Sequence, residues 1–466
     1  MSKINILGIN ISTERKQEII KKIFDFLNSK TPHYVVTPNP EFLLAAHKNE
    51  EFFYILNQAD IAVPDGIGLV FAGLFLGRII RRISGIDLML DVCALAEKEN
   101  KSIFLLGGLD GVAKEATEKL KLKFPKLKIV GAEEGLKPGS WKLRSGKWLK
   151  GKIQNKQLEV RINEVRPDIL FVAFGHPRQE KWIYHSMFSH SSGFNSPYKQ
   201  ENSNGFTQNT TSSSPPPLRR GTGGGEDLNL NARNRIMEYH PRKLNTVSLV
   251  MGVGGSFDFI AGRIQRAPKL MRTCGLEWLW RLTQEPKKRW PRIYDAVIKF
   301  PWEFFKWRFV RPWQYRPNVA CLLYKRVNGK IQVLLAERNH PVGHWQLPQG
   351  GTDGEDLITA GSRELREEIG TRKFKPIANF KNLHRYKFGN NYGGRAGVKS
   401  SQILGYKGQR QGLFIAEFIG QDSDITINFW DHRAWRWVDL EKVAGEVHPY
   451  RKEAAKIFME KFKTIL

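Results

Sequence analysis

Residues 167–182 read PDILFVAFGHPRQEKW, an apolar stretch that ends abruptly in glycine, histidine and proline. The apolar part predicts a buried β-strand over Ile169–Phe174, and the polar residues after it predict a loop. Residues 41–59 and 87–99 have the apolar spacing of amphipathic helices. Three further runs read as strands, namely Tyr34–Thr37, Ile61–Pro64 and Ile103–Leu106. The α/β pattern resumes with Val247–Val253, another apolar run that ends in glycines.

Strands that alternate with helices predict an α/β domain with a Rossmann-like, mostly parallel sheet. We assign this domain to residues 1–262, with an insertion at 186–243 whose Ser, Asn, Gly, Pro and Thr content predicts disorder. In such sheets, ligands bind where the carboxyl ends of the strands meet. A helical basic appendage is predicted for residues 263–312, and a β-rich unit for 313–466.

The chain of 466 residues carries 74 lysines and arginines against 46 acidic residues, a net charge of +28. This excess indicates an anionic partner, which we expect to be a phosphorylated substrate or anionic lipid, with nucleic acid as a less favoured alternative. In the appendage, cations alternate with aromatic residues, which suits an anionic membrane surface. These aromatic residues include Trp278, Trp280, Trp290, Trp302, Phe304, Phe305, Trp307 and Phe309.

Three cysteines, Cys93, Cys274 and Cys321, lie far apart, so neither a disulfide framework nor a structural zinc site is predicted. The first residues lack the charged and long apolar regions of a signal peptide. Asp65 and Arg78 interrupt the most apolar window, residues 61–80, which is therefore too short to span a bilayer. We expect a cytoplasmic protein that is soluble or peripheral at a membrane.

Polar residues follow three of the predicted strands. Asn39 lies in TPNPE, where it can cap a helix whose N–H groups also suit a phosphate. Asp65 stands between a buried strand and Gly66, a good position for a general base, although Asp-Gly pairs also form ordinary turns. The third feature, GHPRQEKW, begins at Gly175. Each feature is weak by itself.

The C-terminal unit contains GGTDGEDLITAGSRELREEIG at residues 350–370. Its Glu364, Glu367 and Glu368 are spaced i, i+3 and i+4, which places the three carboxylates on one helix face. Crowded carboxylates suit divalent cations such as Mg²⁺ or Mn²⁺, which bridge to phosphate oxygens. The alternative is a solvated acidic helix face.

This stretch resembles the Nudix box, G-x5-E-x7-R-E-U-x-E-E-x-G-U. The resemblance implies an α/β/α sandwich that hydrolyses a nucleoside diphosphate linked to another group. It implies metal ligands at Glu364, Glu367 and Glu368, with either of the last two as a base for water. It also implies that Arg363 pairs with Glu355 to brace the loop. The remaining structural positions of the box are Gly350 and Gly370.

The sequence departs from the box at two positions. Four residues separate Gly350 from Glu355 where the pattern has five, which weakens the expectation of a metal contact from the Gly350 backbone and of full activity. Thr371 replaces an aliphatic residue, which is a milder change.

The flanking segments HWQLPQGG and AWRWVDLEKV resemble the Nudix branch of RNA pyrophosphohydrolases and dinucleoside polyphosphate hydrolases. Their Trp345, Trp435 and Trp437 are candidates for stacking on a base, and core packing is an equally good interpretation. Glu417 and Asp431 are candidates for a further metal ligand or base, although ordinary surface charge is the favoured interpretation for each.

The N-terminal region resembles the WecG/TagA/CpsF glycosyltransferase family over about residues 3–305, apart from the insertion. The matching segments, in order, are TPNPE, DGIG, RISGIDL, LLGG, PDILFVAFGHPRQEKW, GVGGSFDFIAG, RAP and GLEWLWRLTQEP. The resemblance implies transfer of an N-acetylmannosamine-type sugar from a UDP donor to undecaprenyl-diphosphate-linked N-acetylglucosamine, with no metal required.

The resemblance also implies roles for individual residues. Asp65 would deprotonate the acceptor hydroxyl, and Thr37 and Asn39 would line the same cleft. Arg82 and Gln179 would contact the donor or the acceptor. A transferase without a metal needs fixed cations for the leaving diphosphate. The candidate cations in the appendage are Arg281, Lys288 and Arg292.

Together these features predict a bifunctional enzyme, in which a transferase at the inner face of the cytoplasmic membrane is fused to a metal-dependent hydrolase. One alternative is that only the Nudix half is active, on RNA, a dinucleoside polyphosphate or a nucleotide sugar. Another is a non-enzymatic protein, in which the insertion and the short loop have inactivated both halves.

Overall fold

The computed structural model describes residues 2–134, 152–187, 244, 246–339, 341–388, 405–428 and 430–466, with the backbone alone for 152–157 and Lys288. The segment 186–243, for which disorder is predicted, lies outside the described residues, except that residues 186 and 187 end a helix. Within the described ranges, every helix is too short or too polar to traverse a lipid bilayer.

Among the described residues, six parallel strands form the sheet of the N-terminal unit, preceded by an antiparallel hairpin of β1 (Lys3–Ile6) and β2 (Ile9–Ser12). The sheet strands are β3 (His33–Val36), β4 (Ile61–Ala62), β5 (Ser102–Gly107), β6 (Lys128–Glu133), β7 (Ile169–Ala173) and β8 (Leu249–Gly252). Their order across the sheet is β4-β3-β8-β7-β5-β6. The predicted parallel α/β sheet is therefore confirmed.

Helices cover both faces of this sheet. They are α1 (Lys16–Leu27), α2 (Pro40–Lys48), α3 (Glu50–Asn57), α4 (Ile67–Phe75), α5 (Gly85–Lys98), α6 (Val112–Lys123), α7 (Lys152–Val165), α8 (Arg178–Met187) and α9 (Ser256–Ile260). Tyr34 and Val35 belong to two different apolar clusters, because successive strand residues point to opposite faces. Strand β7 is buried along its whole length, as expected for a strand covered on both faces.

The helix predicted over 41–59 is two helices separated by Asn49. The Asn49 backbone is extended, with φ −135° and ψ 103°, and its side-chain oxygen accepts a hydrogen bond from the N–H of Phe52 at 2.8 Å. A side chain that caps a new helix competes with continuation of the preceding one, which explains the break.

The appendage is helical, as predicted. It contains α10 (Lys269–Thr273), α11 (Glu277–Gln284), α12 (Pro286–Tyr294) and α13 (Phe300–Phe305), π-helical turns at Asp295–Lys299 and Lys306–Val310, and a 3-10 turn at Arg311–Trp313. Phe304 and Trp307 are only 6% and 8% exposed and belong to a core cluster of the α/β unit. The expectation that these two residues face a membrane is therefore wrong. Trp302, Phe305 and Phe309 are exposed.

In the described part of the C-terminal unit, seven strands form a mixed sheet, in which β9 and β14 are the parallel pair. Its strands are β9 (Tyr315–Val327), β10 (Lys330–Arg338), β11 (Trp345–Gln346), β12 (Gln349–Gly351), β13 (Phe374–Lys387), β14 (Gly408–Phe418) and β15 (His432–Asp439). Its helices are α14 (Leu357–Glu368), α15 (Val443–Glu446) and α16 (Lys452–Lys463), with 3-10 turns at Asp422–Asp424, Leu440–Lys442 and Pro449–Arg451. Helices α14 and α16 pack on opposite faces, which confirms the α/β/α sandwich.

The mixed sheet contacts the end of the appendage. Arg311 forms an ion pair with Glu303 at 2.8 Å, and its guanidinium lies 5.4 Å from the ring centre of Tyr406. The N–H of Lys407 donates to the carbonyl oxygen of Gln314 at 3.0 Å. The appendage therefore connects the two units by packing as well as by chain continuity.

We expect Asn49→Ala to lower the free energy of unfolding by about 1 kcal/mol, because the N–H of Phe52 loses its acceptor. Calorimetry of the full chain measures this loss as a lower midpoint for the N-terminal unit. Asn49→Ser keeps a capping oxygen and should retain most of the stability. An alanine variant as stable as the parent would show that the cap contributes nothing.

Candidate active sites

The polar residues predicted in the α/β unit gather at the carboxyl end of its sheet. The N–H of Asp65, which follows β4, donates to the carbonyl oxygen of Pro38 at 2.9 Å, so this loop is bonded to the TPNPE loop after β3. Gly66 has φ 135° and packs against Asn39 and Pro40, where a larger residue would be strained. Two segments that are separate in the chain thus form one wall.

A chain of alternating carboxylates and guanidinium groups begins at Asp65. One Asp65 oxygen accepts a hydrogen bond from the N–H of Gly85 at 3.1 Å, and the other lies 3.8 Å from Nε of Arg82. Nη2 of Arg82 donates to Oε2 of Glu277 at 3.0 Å, and Oε1 of Glu277 lies 3.4 Å from Nη2 of Arg281. Glu277 is 5% exposed. The appendage therefore inserts a buried acid between two of the predicted arginines.

The electrostatics of Asp65 suit a base. Burial raises the pKa of Asp65, Arg82 opposes that rise, and Glu277 adds to it. A carboxylate with a raised pKa accepts a proton more readily than an ordinary aspartate. The buried hydroxyl of Thr37 borders the same wall, because a Cβ atom on Gly85 would lie 3.2 Å from Thr37 Oγ1 and 3.5 Å from Asp65 Oδ2.

A second charged group lies at the first turn of α2. Asn39 caps this helix by accepting a hydrogen bond from the N–H of Phe42 at 3.1 Å. Oε2 of Glu41 lies 3.9 Å from Nε2 of His176 and 3.9 Å from Nε of Arg292. Burial, together with a smaller effect of the Arg292 charge, lowers the pKa of His176 to about 4, so the imidazole is neutral near pH 7. Arg292 of the appendage thus reaches the strand ends.

Gln179 lies behind the cleft. Its side chain is 2% exposed, and its Oε1 accepts hydrogen bonds from the N–H groups of Gly175 and Gly254, each at 3.1 Å. Its Nε2 donates to Glu180 at 2.6 Å. This geometry joins the loops after β7 and β8, so it supports a positioning role for Gln179 in place of the expected contact with a ligand.

Three members of these groups were not predicted from the sequence, namely Glu41, His176 and Glu277. All three lie inside the segments TPNPE, GHPRQEKW and GLEWLWRLTQEP, so their presence was visible, but chain order does not show which residues meet. The side chain of Lys288, expected near Arg281 and Arg292, lies outside the described residues.

In the C-terminal unit, the carboxylates of α14 face the loop that begins at Gly350. Glu364 and Glu368 are 2% and 1% exposed, whereas the Glu367 side chain is 52% exposed. A side chain on Gly350 would overlap the Glu364 carboxylate, so glycine permits this close approach. Although the loop is one residue shorter than the motif, it lies against the carboxylates. Gly370, which follows the helix with φ 70°, packs closely on a backbone carbonyl.

Arg363 connects the box helix to this loop. Its Nε lies 2.9 Å from Oε2 of Glu355, the partner that the motif implies. Its Nη1 lies 2.8 Å from Oε1 of Glu364, and its Nη2 donates to the carbonyl oxygen of Gly351 at 2.7 Å. Burial raises the pKa of Glu367, and Arg363 opposes that rise. One guanidinium group therefore holds the loop and two carboxylates together.

Asp431 lies beside the box helix. Its carboxylate, the carboxylate of Glu368 and the imidazole of His432 each offer an atom within 4.8 Å of the others, and all three residues are buried. Asp431 also lies 3.3 Å from Nη2 of Arg338. Carboxylate oxygens suit Mg²⁺ and Mn²⁺, and an imidazole nitrogen is a common ligand of transition metals. The donors around α14 therefore fit a divalent cation.

Glu417 lies on the other face of the sheet. Its neighbours at alternate positions of β14, Leu413 and Ile415, belong to the core under α16, whereas Phe414 belongs to the core under α14. Glu417 is 4.0 Å from Arg326. The favoured interpretation as surface charge therefore holds for Glu417, and a ligand role does not fit.

The three tryptophans do not form one platform. Trp435 and Trp437 pack against the core under α14 with their ring centres 6.5 Å apart, edge to face. Trp345 packs against the core under α16, and the Arg436 guanidinium lies 4.1 Å from its ring centre. Each of the three rings packs partly against a core and remains partly exposed.

Comparison with known proteins identifies both units. The model of the glycosyl transferase WecG/TagA/CpsF family matches residues 4–196 and 219–314, and the NUDIX domain model matches residues 314–461. An N-acetylglucosaminyldiphosphoundecaprenol N-acetyl-beta-D-mannosaminyltransferase of Bacillus subtilis (strain 168) is 27% identical over 270 residues, which are 58% of this chain and 77% of the relative.

An RNA pyrophosphohydrolase of Wolbachia sp. subsp. Brugia malayi (strain TRS) is 35% identical over 155 residues, which are 32% of this chain and 91% of the relative. Among solved structures, an Ap4A hydrolase of C. elegans is 19% identical and matches 32% of this chain and 98% of its own, with a TM-score of 0.25.

A parallel sheet with an acid and arginines at its strand ends, joined to a sandwich with a carboxylate-bearing helix, defines a two-domain enzyme. The chain belongs to the WecG/TagA/CpsF glycosyltransferase family and carries a C-terminal Nudix hydrolase domain. Both predicted resemblances are thereby confirmed.

We expect Glu277→Gln to lower kcat for sugar transfer by roughly 10- to 100-fold, because Arg82 and Arg281 lose the charge that orients them. The acid limb of the pH–rate profile should also move to lower pH. Glu277 raises the pKa of Asp65, so removing its charge leaves Arg82 to lower that pKa, and Asp65 stays ionised in more acidic solution.

The matched control is Glu115→Gln, which breaks an exposed ion pair with Arg263 at 2.7 Å. It should leave the acid limb where it is. A Glu277→Gln enzyme with the parent's acid limb would contradict the assignment.

Proposed function

We propose that the chain transfers an N-acetylmannosamine-type sugar from a UDP donor to undecaprenyl-diphosphate-linked N-acetylglucosamine. The observation that carries this proposal is the row of Asp65, Arg82, Glu277 and Arg281, which provides a base and fixed cations at one strand edge. The name of the Bacillus relative supports the sugar and the acceptor. We further propose that the Nudix domain hydrolyses a nucleoside diphosphate linked to another group, using Mg²⁺ or Mn²⁺.

In the transfer, Asp65 removes the proton of the attacking acceptor hydroxyl. Negative charge then develops on the diphosphate that leaves the donor sugar. Arg281 and Arg292 supply positive charge beside the strand ends, and the first turn of α2 adds its N–H dipoles. Because these groups are fixed before the reaction, this half requires no metal in our proposal. Thr37 and Asn39 line the wall that orients the acceptor.

In the hydrolysis, Glu364, Glu367, Glu368 and Asp431 are the residues that would hold the divalent cation. When bound, the ion neutralises charge on the phosphate oxygens and lowers the pKa of water. Glu368 accepts the N–H of Gln349 at 2.9 Å and is held in place, whereas Glu367 is open to solvent. We therefore favour Glu367 as the base for water.

A second candidate function concerns the Nudix half alone. Its relatives are named RNA pyrophosphohydrolases, and a net charge of +28 suits a polyanion. In this alternative the Nudix domain removes pyrophosphate from RNA or cleaves a dinucleoside polyphosphate, and the N-terminal half only binds the anion. Such binding would weaken steeply with salt.

The proposed acceptor places the enzyme at the inner face of the cytoplasmic membrane as a peripheral protein. The exposed rings of Trp302, Phe305 and Phe309, with Arg308 exposed among them, suit the headgroup region of an anionic bilayer.

The test is product analysis by mass spectrometry with UDP-N-acetylmannosamine and a soluble lipid-diphosphate-GlcNAc acceptor, once in EDTA and once in Mg²⁺. The disaccharide product should form in both conditions. Asp65→Asn should reduce it by about 100-fold or more, because the amide cannot accept the proton.

Hydrolysis of nucleotides and of triphosphorylated RNA is measured in the same solutions. It should occur only with Mg²⁺ and should be lost in the Glu368→Gln variant. Each variant controls for the other, because it leaves the second site intact. No transfer in either condition, with hydrolysis in Mg²⁺, would overturn the transferase proposal and favour the second candidate.

A further inference from the structure

Helix α4 and the turn after it carry an unusual set of exposed apolar side chains. Phe71, Leu74, Phe75 and Ile79 are 56%, 55%, 70% and 69% exposed. The first three are spaced i, i+3 and i+4, so they share one helix face. Single exposed apolar residues are common on soluble proteins, whereas a contiguous group of large ones marks an interaction surface.

This group continues into the exposed face of the appendage. Helix α13 packs against α4, and the ring centres of Phe75 and Phe304 are 6.4 Å apart. Beyond the buried Phe304, the rings of Trp302 and Phe305 are 58% and 46% exposed and stack with centres 5.9 Å apart. We call residues 71–81 together with the exposed rings of residues 302–309 the α4–α13 surface.

The charge next to these side chains is positive. Arg78 and Arg81 are exposed on either side of Ile79, and residues 66–86 contain no aspartate or glutamate. Arg308 is exposed in the appendage part of the surface. Aromatic rings with arginines beside them match the headgroup region of an anionic bilayer, where rings sit at the interface and cations meet phosphate.

We propose that α4 is a second membrane contact, which binds an anionic bilayer together with the appendage. The proposal rests on the lipid-linked acceptor of the proposed function. Helix α4 starts at Ile67, directly after Asp65 and Gly66, and its nine residues span about 14 Å. Binding of the α4–α13 surface to a bilayer therefore fixes the distance between Asp65 and the lipid. At this distance Asp65 can reach a sugar that is attached to a lipid diphosphate.

A second copy of the chain is a less suitable occupant. A symmetric dimer through this surface would bring Arg78 and Arg81 of both copies together, and like charges repel. An anionic lipid surface instead neutralises these arginines while it receives the rings.

The experiment measures sedimentation of the full chain with vesicles of phosphatidylcholine alone or with added phosphatidylglycerol. Phe75→Ser/Ile79→Ser and Arg78→Gln/Arg81→Gln should each reduce binding to the anionic vesicles by about tenfold or more. The control is Leu122→Ser, a side chain 77% exposed on α6, which should bind like the parent. Hydrogen exchange should show protection of residues 67–81 with anionic vesicles.

Sugar-transfer assays distinguish a failure of the α4 proposal from a failure of the transferase proposal. Both double variants should use a water-soluble acceptor like the parent and lose transfer to a full-length lipid acceptor in vesicles. If the parent transfers to neither acceptor, the transferase proposal fails, while vesicle binding and hydrogen exchange still decide the role of α4.

Two results would overturn the α4 contact. One is parent-like binding of both double variants, with unprotected residues 67–81. The other is a dimeric parent in ultracentrifugation that Phe75→Ser/Ile79→Ser converts to a monomer without any change in vesicle binding.

Discussion

The transferase site depends on the ion pairs that the buried carboxylate of Glu277 forms with Arg82 and Arg281. A carboxylate removed from water is unfavourable unless charged partners and hydrogen bonds compensate it, and here Arg82 and Arg281 do so. Arg82 comes from the loop before α5, and Glu277 and Arg281 come from the appendage. The same contacts therefore dock the appendage and orient the cations near Asp65, so the site is complete only when the appendage is in place.

The two domains handle phosphate charge in opposite ways. At the sheet edge, arginines and helix N–H groups stand ready for a leaving diphosphate, and in our proposal no metal takes part. On α14, buried carboxylates are crowded around Gly350 and Arg363, an arrangement that suits a divalent cation. Because the two sites use charges of opposite sign, chelation should separate their activities within one chain.

The appendage also connects the domains. On one side of its last helical part, Phe304 and Trp307 pack in the core of the transferase. Arg311 contacts Tyr406, just before β14 of the Nudix domain. The remaining aromatic rings of the appendage stay exposed next to α4. The basic aromatic segment is continuous in sequence, but its side chains have three different environments: the transferase core, the contact with the Nudix domain and the surface. The reason is that successive side chains of a helix point in different directions.

Local patterns of period two and 3.6 residues were enough to predict the parallel α/β class and the carboxylate spacing of the box. The sandwich was implied by the resemblance of residues 350–370 to the Nudix box. Asp65 and Asn39 could also be predicted, because both are polar residues that closely follow a predicted strand in the sequence. The sequence did not show the break at Asn49, where a side-chain cap interrupts an apolar pattern that continues on both sides.

Which distant residues meet, and which face each one occupies, became apparent from the packing of the folded chain. Glu277 reaches Arg82 across nearly two hundred residues, and Gln179 is buried between two loops where the sequence suggested a ligand contact. Asp431, in the turn before β15, lies beside the box helix, as chain packing alone decides. Glu417 lies across the sheet, because successive residues of β14 point to opposite faces. Such contacts depend on how the whole chain packs, and that packing is not encoded in any one local pattern.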